Sequence, residues 1–464
     1  MMEKSNQKRV IYFVLPLLGA ALCLWYVKNA TCDVVYSDYI RLVNSYLPDV
    51  FDPKKFFVPD VLTRIPITYL GRIVNVTFFG YSLTFDRVLG VMSLLLAAWI
   101  LAVWCARERV GLWCFALCMV VMFSLNKWEM LINGSGWCHF FAFACFYYHQ
   151  TVLDRIWRGE AKKGDRIRLA VLPWVITLGI AGPYCAVYSG ALILAYGFCM
   201  ICKKRKNGVW EKEYLIWIVC TVIPLICYMI SNAFVEEGYT GVQGERLSVV
   251  ITKDPTFLIR FVLKSLASIV VGREEFEKLV EANSSVNTVI YLIGALVALS
   301  YLAAFAANFY YRLYERTIFP LILIVSGAMN HVLIMLSRYA FWQDNYGMSS
   351  RYALQFQVGI LGILLTIGLL AKRLRSGGRF RRLAQGFSLV FCLAILAGNA
   401  YTIQCEIQKA PYREEYFEQM AVRVAQIDQM SDEELANCFE YYKGSDKIVR
   451  AFEILRENHL NVFR

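Results

Sequence analysis

Two Ser-Arg-Tyr triplets stand out in this chain, Ser337-Arg338-Tyr339 and Ser350-Arg351-Tyr352, in one polar stretch between two apolar runs. The planar fork of N–H donors on arginine makes bidentate, charge-assisted bonds to phosphate. Arg338 and Arg351 are thus candidates for holding a phosphate group, with the Tyr352 hydroxyl as a further donor. Their ordinary alternative is snorkelling towards lipid headgroups. His331 lies about two helical turns before Arg338. There a polar ring is costly unless it faces a cavity or a partner, which makes it a further substrate-binding candidate.

The acids that could act beside those arginines sit elsewhere. Asp33 and Asp38 follow the first apolar run in Cys32-Asp33-Val34-Val35-Tyr36-Ser37-Asp38-Tyr39, and Glu129 lies in Asn126-Lys127-Trp128-Glu129-Met130. A carboxylate in such a place suits a general base that takes a proton from a hydroxyl. The plain alternative for any one of these acids is a helix cap. Arg72, in Gly71-Arg72, is another candidate for binding substrate. One base and one phosphate clamp suffice for a single displacement.

The elements that must position these residues follow from composition. Of 464 residues, 58% are hydrophobic and only 18% charged, with a mean hydropathy of +0.47. Soluble domains are nearer 45–50% apolar and about 25% charged. A soluble enzyme, a disordered chain and a disulfide-rich module are all excluded. The expected fold is all-α: a polytopic membrane helical bundle of about eleven transmembrane helices, with helical outer loops and a short helical C-terminal tail. The apolar runs fall near 10–27, 88–105, 110–126, 132–153, 169–183, 186–202, 214–232, 287–309, 317–337, 352–371 and 386–403. Each approaches the roughly 20 residues that a crossing needs. The runs 169–183 and 186–202 are short for two crossings, and Gly182-Pro183 divides them, so a short hairpin is expected there.

Charge sets the orientation. If the N-terminus is cytoplasmic, the short loops on that side hold half of the lysines and arginines but under a quarter of the acids. This is the positive-inside pattern. It predicts a multi-pass protein of the cell membrane with a cytoplasmic N-terminus and an extracytoplasmic C-terminus. The basic pI, about 9.0, is read as orientation and not as a nucleic-acid site. The longer loops, about 28–87 and 233–286, then share the outer face with a helical tail at 404–464, beyond a membrane core at 1–403. Aromatics interleaved with charges in the first of them suggest helices lying along the membrane surface. In the tail, Ser431 and Glu434 have capping-box spacing. Cys199-Met200-Ile201-Cys202 has neither a second CxxC nor a redox setting and is read as packing.

In layout the chain resembles the GT-C superfamily of membrane glycosyltransferases, in particular the bacterial GtrII-like glucosyltransferases and related integral membrane families. The matching pieces are Ser37-Asp38-Tyr39 after the first span, Gly71-Arg72 ahead of the second, Gly134-Ser135 at the fourth and Ser350-Arg351-Tyr352 opening the tenth. The resemblance implies catalysis on the outer face with a polyprenyl-phosphate-linked sugar as donor. The acceptor would be a cell-envelope glycan or lipid, with membrane lipids as the surroundings. Asp38 would be the base, with Asp33 and Glu129 as alternatives. Many such enzymes carry adjacent acids, whereas Ser37-Asp38 has one. The cofactor is therefore left open: a divalent metal is compatible with the acids, but no paired-acid motif supports one. The competing readings are a transporter or flippase for a lipid-linked or small polar substrate, and a glycan polymerase or ligase. A transporter normally shows ionisable groups within its spans and repeated halves; the expected spans are nearly free of charge and no repeat is visible.

Overall fold

The computed structural model describes residues 2–57, 66–180, 182–231, 245–371 and 379–464. The expected outer-loop residues 233–244, and parts of the loops at 58–65 and 372–378, lie outside the described residues. Among those described, the chain is an all-α polytopic membrane bundle with no strand. Nine helices among the described residues are long and apolar enough to cross a membrane.

The chain begins with α1 (Met2–Ala30), followed by the short α2 (Asp38–Tyr46) and α3 (Pro66–Phe79). Next come α4 (Leu83–Glu108), α5 (Leu112–Met122), α6 (Trp128–Ile132) and α7 (Trp137–Trp157). Ser82 starts α4 by accepting the Phe85 N–H (3.3 Å), the usual serine cap. Helices α8 (Asp165–Gly179) and α9 (Cys185–Asn207) are separated by a 3-10 turn at Gly182–Tyr184 and form the expected hairpin. At 1.5 Å per residue α8 is only ~22 Å long, short of the ~30 Å hydrocarbon layer. Helix α7 is long enough, but His149, Gln150, Asp154 and Arg155 dilute its apolar run. These two helices account for the difference between eleven expected spans and nine long apolar helices.

Then follow α10 (Lys212–Ser231), the short helices α11 (Leu247–Lys253), α12 (Phe257–Ala267) and α13 (Arg273–Ala282), and α14 (Val286–Tyr310). A one-turn α15 (Leu313–Arg316) leads into α16 (Phe319–Arg338) and α17 (Ala353–Leu370), which hold the two arginine triplets at their ends. Glycine allows α16 and α17 to touch through their backbones: a Cβ on Gly327 would lie 2.4 Å from the Gly359 Cα. Small residues at crossings are how helices associate in lipid, where no hydrophobic force drives them together.

The last span departs from expectation. Helix α18 (Arg379–Arg423) runs through 403 without a break. Lysines, arginines and glutamates beyond 403 end its compatibility with lipid but favour helix, so residues 404–423 extend the span as a rod. After it, α19 (Asp432–Cys438) opens with the Ser431–Glu434 capping box, and α20 (Ser445–Glu457) ends the helical tail. Helix α20 packs on α2, so the apolar face of α2 (Tyr39, Ile40, Leu42, Val43 and Tyr46) is buried in protein. Helix α3 does expose an apolar stripe, Leu70, Val74 and Phe78. Of α2 and α3, in the expected first outer loop, α3 thus has the outward apolar face expected of a membrane-surface helix.

Candidate functional site

Ser37 is the pivot of the first loop. Its φ of 51° lies in the left-handed region, which serine rarely adopts. Its N–H donates to the Phe439 carbonyl in the tail (2.8 Å), so the tail helps hold a strained turn that no local preference supports. The next residue, Asp38, is the first of α2. Its side chain has no hydrogen bond or ion pair among the described residues, and it faces a cavity of about 630 Å³. That volume is in the range of small-molecule sites.

The same cavity is lined by Glu129 from α6, by Arg338 at the end of α16, and by Arg351 and Tyr352 ahead of α17. Arg351 pairs through Nε with the Glu129 carboxylate, which also accepts the Ser350 hydroxyl (2.9 Å). Arg338 Nε donates to the Tyr352 hydroxyl (2.8 Å). Two carboxylates and two guanidinium groups from distant parts of the sequence therefore face one space. Its floor includes Leu333 and Ile334, apolar residues of α16.

Three other candidates lie outside this cavity. Asp33 is a cap: it accepts the Leu83 N–H at the start of α4 (2.7 Å) and the Asn461 amide (3.2 Å). Arg72 is buried over the Tyr46 ring, 4.0 Å from its centre. It belongs to a tightly packed node with Tyr39 and Asp86, in which the Tyr39 hydroxyl donates to Asp86 (2.8 Å). His331 is buried with its ring stacked on Phe356 (3.9 Å), and its Nδ1 meets the Ser265 hydroxyl at 3.0 Å.

Two cavity residues escape a reading of the sequence. Arg273 opens α13 and adds a third guanidinium, which pairs with Glu277 (2.6 Å). His139 lies near the start of α7, edge-on to Tyr184. The only cue for either was a polar residue next to an apolar run.

A second chamber of about 340 Å³ adjoins the first, with Glu129, Asn133 and Arg351 lining both. Its walls include Trp128, Tyr36, and Tyr412 and Tyr416 of α18. Burial keeps the Tyr36 phenol well above its ordinary pKa, so it stays a neutral hydroxyl. Beside this chamber Glu274, Glu275 and Glu406 bring carboxylate oxygens within 4.8 Å of one another. The Lys409 ammonium bonds to all three, at 2.6, 2.6 and 2.9 Å, and Arg413 adds a second cation. Burial raises the Glu274 pKa, but Arg413 and Lys409 outweigh it and hold the carboxyl below its usual range. A divalent ion fits poorly here because Lys409 already takes a cation's place. It fits poorly at Glu129 too, where a serine and an arginine claim the carboxylate.

No family model matches the chain, and no curated protein matches it. Among solved structures it is similar to the archaeal oligosaccharyltransferase AglB from Archaeoglobus fulgidus, solved with an inhibitory peptide and a dolichol-phosphate. Identity is 14% and the TM-score 0.45; the alignment covers 94% of this chain and 60% of that one, so the chain spans about 60% of that protein's length.

Proposed function

We propose that this protein is a membrane glycosyltransferase of the GT-C type, which moves a sugar from a polyprenyl-phosphate-linked donor to a cell-envelope acceptor. The observation that carries the reading is the shared cavity: Asp38, unpaired, faces the same space as Arg338 and Arg351. Asp38 takes the proton of the acceptor hydroxyl. The hydroxyl oxygen attacks the anomeric carbon, and the bond from that carbon to the phosphate oxygen breaks. The lipid phosphate leaves with its electron pair, and the guanidinium groups of Arg351 and Arg338 meet the charge as it develops. Arg273 adds to this positive wall. Both Nη groups of Arg351 have no partner among the described residues, so they can receive phosphate oxygens while Nε stays with Glu129. The apolar floor suits entry of the donor's lipid from the side.

The membrane core over 1–403 would hold donor and cavity, and 404–464 would cap the outer face. The N-terminus would be cytoplasmic and the C-terminus outside, so a reporter fused after Arg464 should be active only outside the cytoplasm. The decisive assay is glycan transfer in membranes supplied with polyprenyl-phosphate-linked sugar. Asp38→Asn and Arg351→Gln should insert normally and lose activity by about 10²-fold or more. Full activity in both variants, with transfer established for the wild type, would falsify the proposal.

A further inference from the structure

We infer that the 340 Å³ chamber under α18 is a subsite for a neutral carbohydrate, and that this carbohydrate is the acceptor. The inference rests on the reading of the larger cavity as a sugar-transfer centre. It settles on a glycan acceptor in place of a lipid.

The first argument is wall chemistry. Tyr412 and Tyr416 lie one helical turn apart on α18 and are 75% and 42% exposed, while Trp128 of α6 has one face covered by the Arg413 guanidinium, 3.4 Å from the ring centre. A pyranose ring has a face of C–H groups and a rim of hydroxyls. Aromatic rings suit the face, through apolar and weak C–H contacts. Carboxylates, amides and hydroxyls suit the rim, and Glu440, Asn133 and Ser37 supply them here.

The second argument is charge. The ions of this chamber are largely spent on one another. Glu129 holds Arg351, and Glu274 and Glu406 hold Lys409 and Arg413. Glu440 accepts the Tyr416 hydroxyl (3.1 Å), and Lys278 offsets its charge on the wall. Away from the Arg351 edge that the two spaces share, little field remains to select a charged ligand, whereas the first cavity adds Arg338 and Arg273 to that edge.

The third argument is position. Ser37 lines this chamber and its neighbour Asp38 lines the other. The proposed base thus stands where an acceptor hydroxyl leaves one space for the other. Residues 412–417 lie beyond the apolar run that ends near 403, by roughly 14 Å or more at 1.5 Å per residue. A ligand here comes from the water side of α18.

The test uses the full-length protein in detergent on a glycan array holding neutral and acidic oligosaccharides, beside a peptide array. Polyprenyl phosphate binding is measured separately. Wild type should bind neutral oligosaccharides, and the surface double variant Tyr412→Ala/Tyr416→Ala should bind them about tenfold or more weakly, equivalent to about 1.4 kcal/mol. Its affinity for polyprenyl phosphate should not change. Binding of acidic sugars alone, of peptides alone or of neither array overturns the inference, as does undiminished binding by the double variant. Neutral sugar binding without polyprenyl phosphate binding keeps the subsite but removes the transfer reaction; the reverse pattern removes only the subsite.

Discussion

Two charged regions of this molecule use the same residue types to different ends. Where α4, α7 and α16 meet, Asp154 is fully buried and accepts four hydrogen bonds. The donors are Trp104 (3.1 Å), Arg107 (2.7 Å), Thr317 (2.6 Å) and the Ile318 N–H (2.9 Å). Nearby, Glu108 is held by Arg107, Arg158 and Arg316. Every carboxylate oxygen of that cluster has a partner. In the cavity, Asp38 has none, and Arg351 keeps both Nη groups open to about 630 Å³ of space, although Glu129 has a partner on each oxygen. A saturated network ties helices together, because a buried charge must be paired in full. An unsaturated one keeps donors and acceptors for something that arrives.

That contrast can be broken experimentally, and the largest effect should come from the saturated side. Asp154→Ala takes one of two buried acid partners from Arg107 and strands three other donors, so it should destabilise the protein by about 3–5 kcal/mol. A thermal melt in detergent would register this. Asp38→Ala should cost under about 1 kcal/mol, the usual worth of an acid at a helix start. Equal losses would mean that Asp38 also holds the fold. Next comes Asp33→Ala, which removes a cap and a tail contact and should cost about 1–2 kcal/mol. Hydrogen exchange around Asn461 should rise with it. Unchanged exchange there would show that the tail docks without Asp33.

Smaller still is Glu129→Gln, an exposed-edge pair worth about 0.2–1 kcal/mol to stability. Without its anion, Arg351 should bind polyprenyl phosphate more tightly. Weaker binding would mean that Glu129 orients the arginine and does not compete for it. The mildest effect concerns pH. The Glu274 carboxyl has a folded-state pKa below its ordinary 4.5. Its contribution is complete above that ordinary value and is lost as pH falls through the lowered one. Docking of α13 on α18, followed by exchange over 273–282, should loosen on acidification below pH 4.5 in wild type, and should respond less in Glu274→Gln.

Much of the bundle was legible because lipid imposes a length on each crossing. The 169–202 hairpin and the Ser431–Glu434 box were local patterns of the same kind. Five residues chosen for their chemistry, Asp38, Glu129, Arg338, Arg351 and Tyr352, face one cavity, though their roles rest on the proposed reaction. What stayed hidden depended on distant partners. Asp33 looks like Asp38 until Leu83 and Asn461 are placed beside it. His331 depends on Ser265, and Arg273 on the fold of its loop. The reach of α18 beyond 403 was obscured because charge marks the end of a span but not the end of a helix.

The bond between Asn461 and Asp33 also has a timetable. It joins residues separated by 428 positions, which a ribosome working at about 5–20 residues per second needs roughly 20–90 s to make. The Phe439 carbonyl that steadies Ser37 emerges almost as late. Through that interval the early helices can already be threaded into the bilayer while the turn carrying Asp38 waits for its support. The early spans can therefore be inserted well before the proposed catalytic turn is complete, and a nascent chain stalled before Phe439 would be membrane-embedded yet chemically immature.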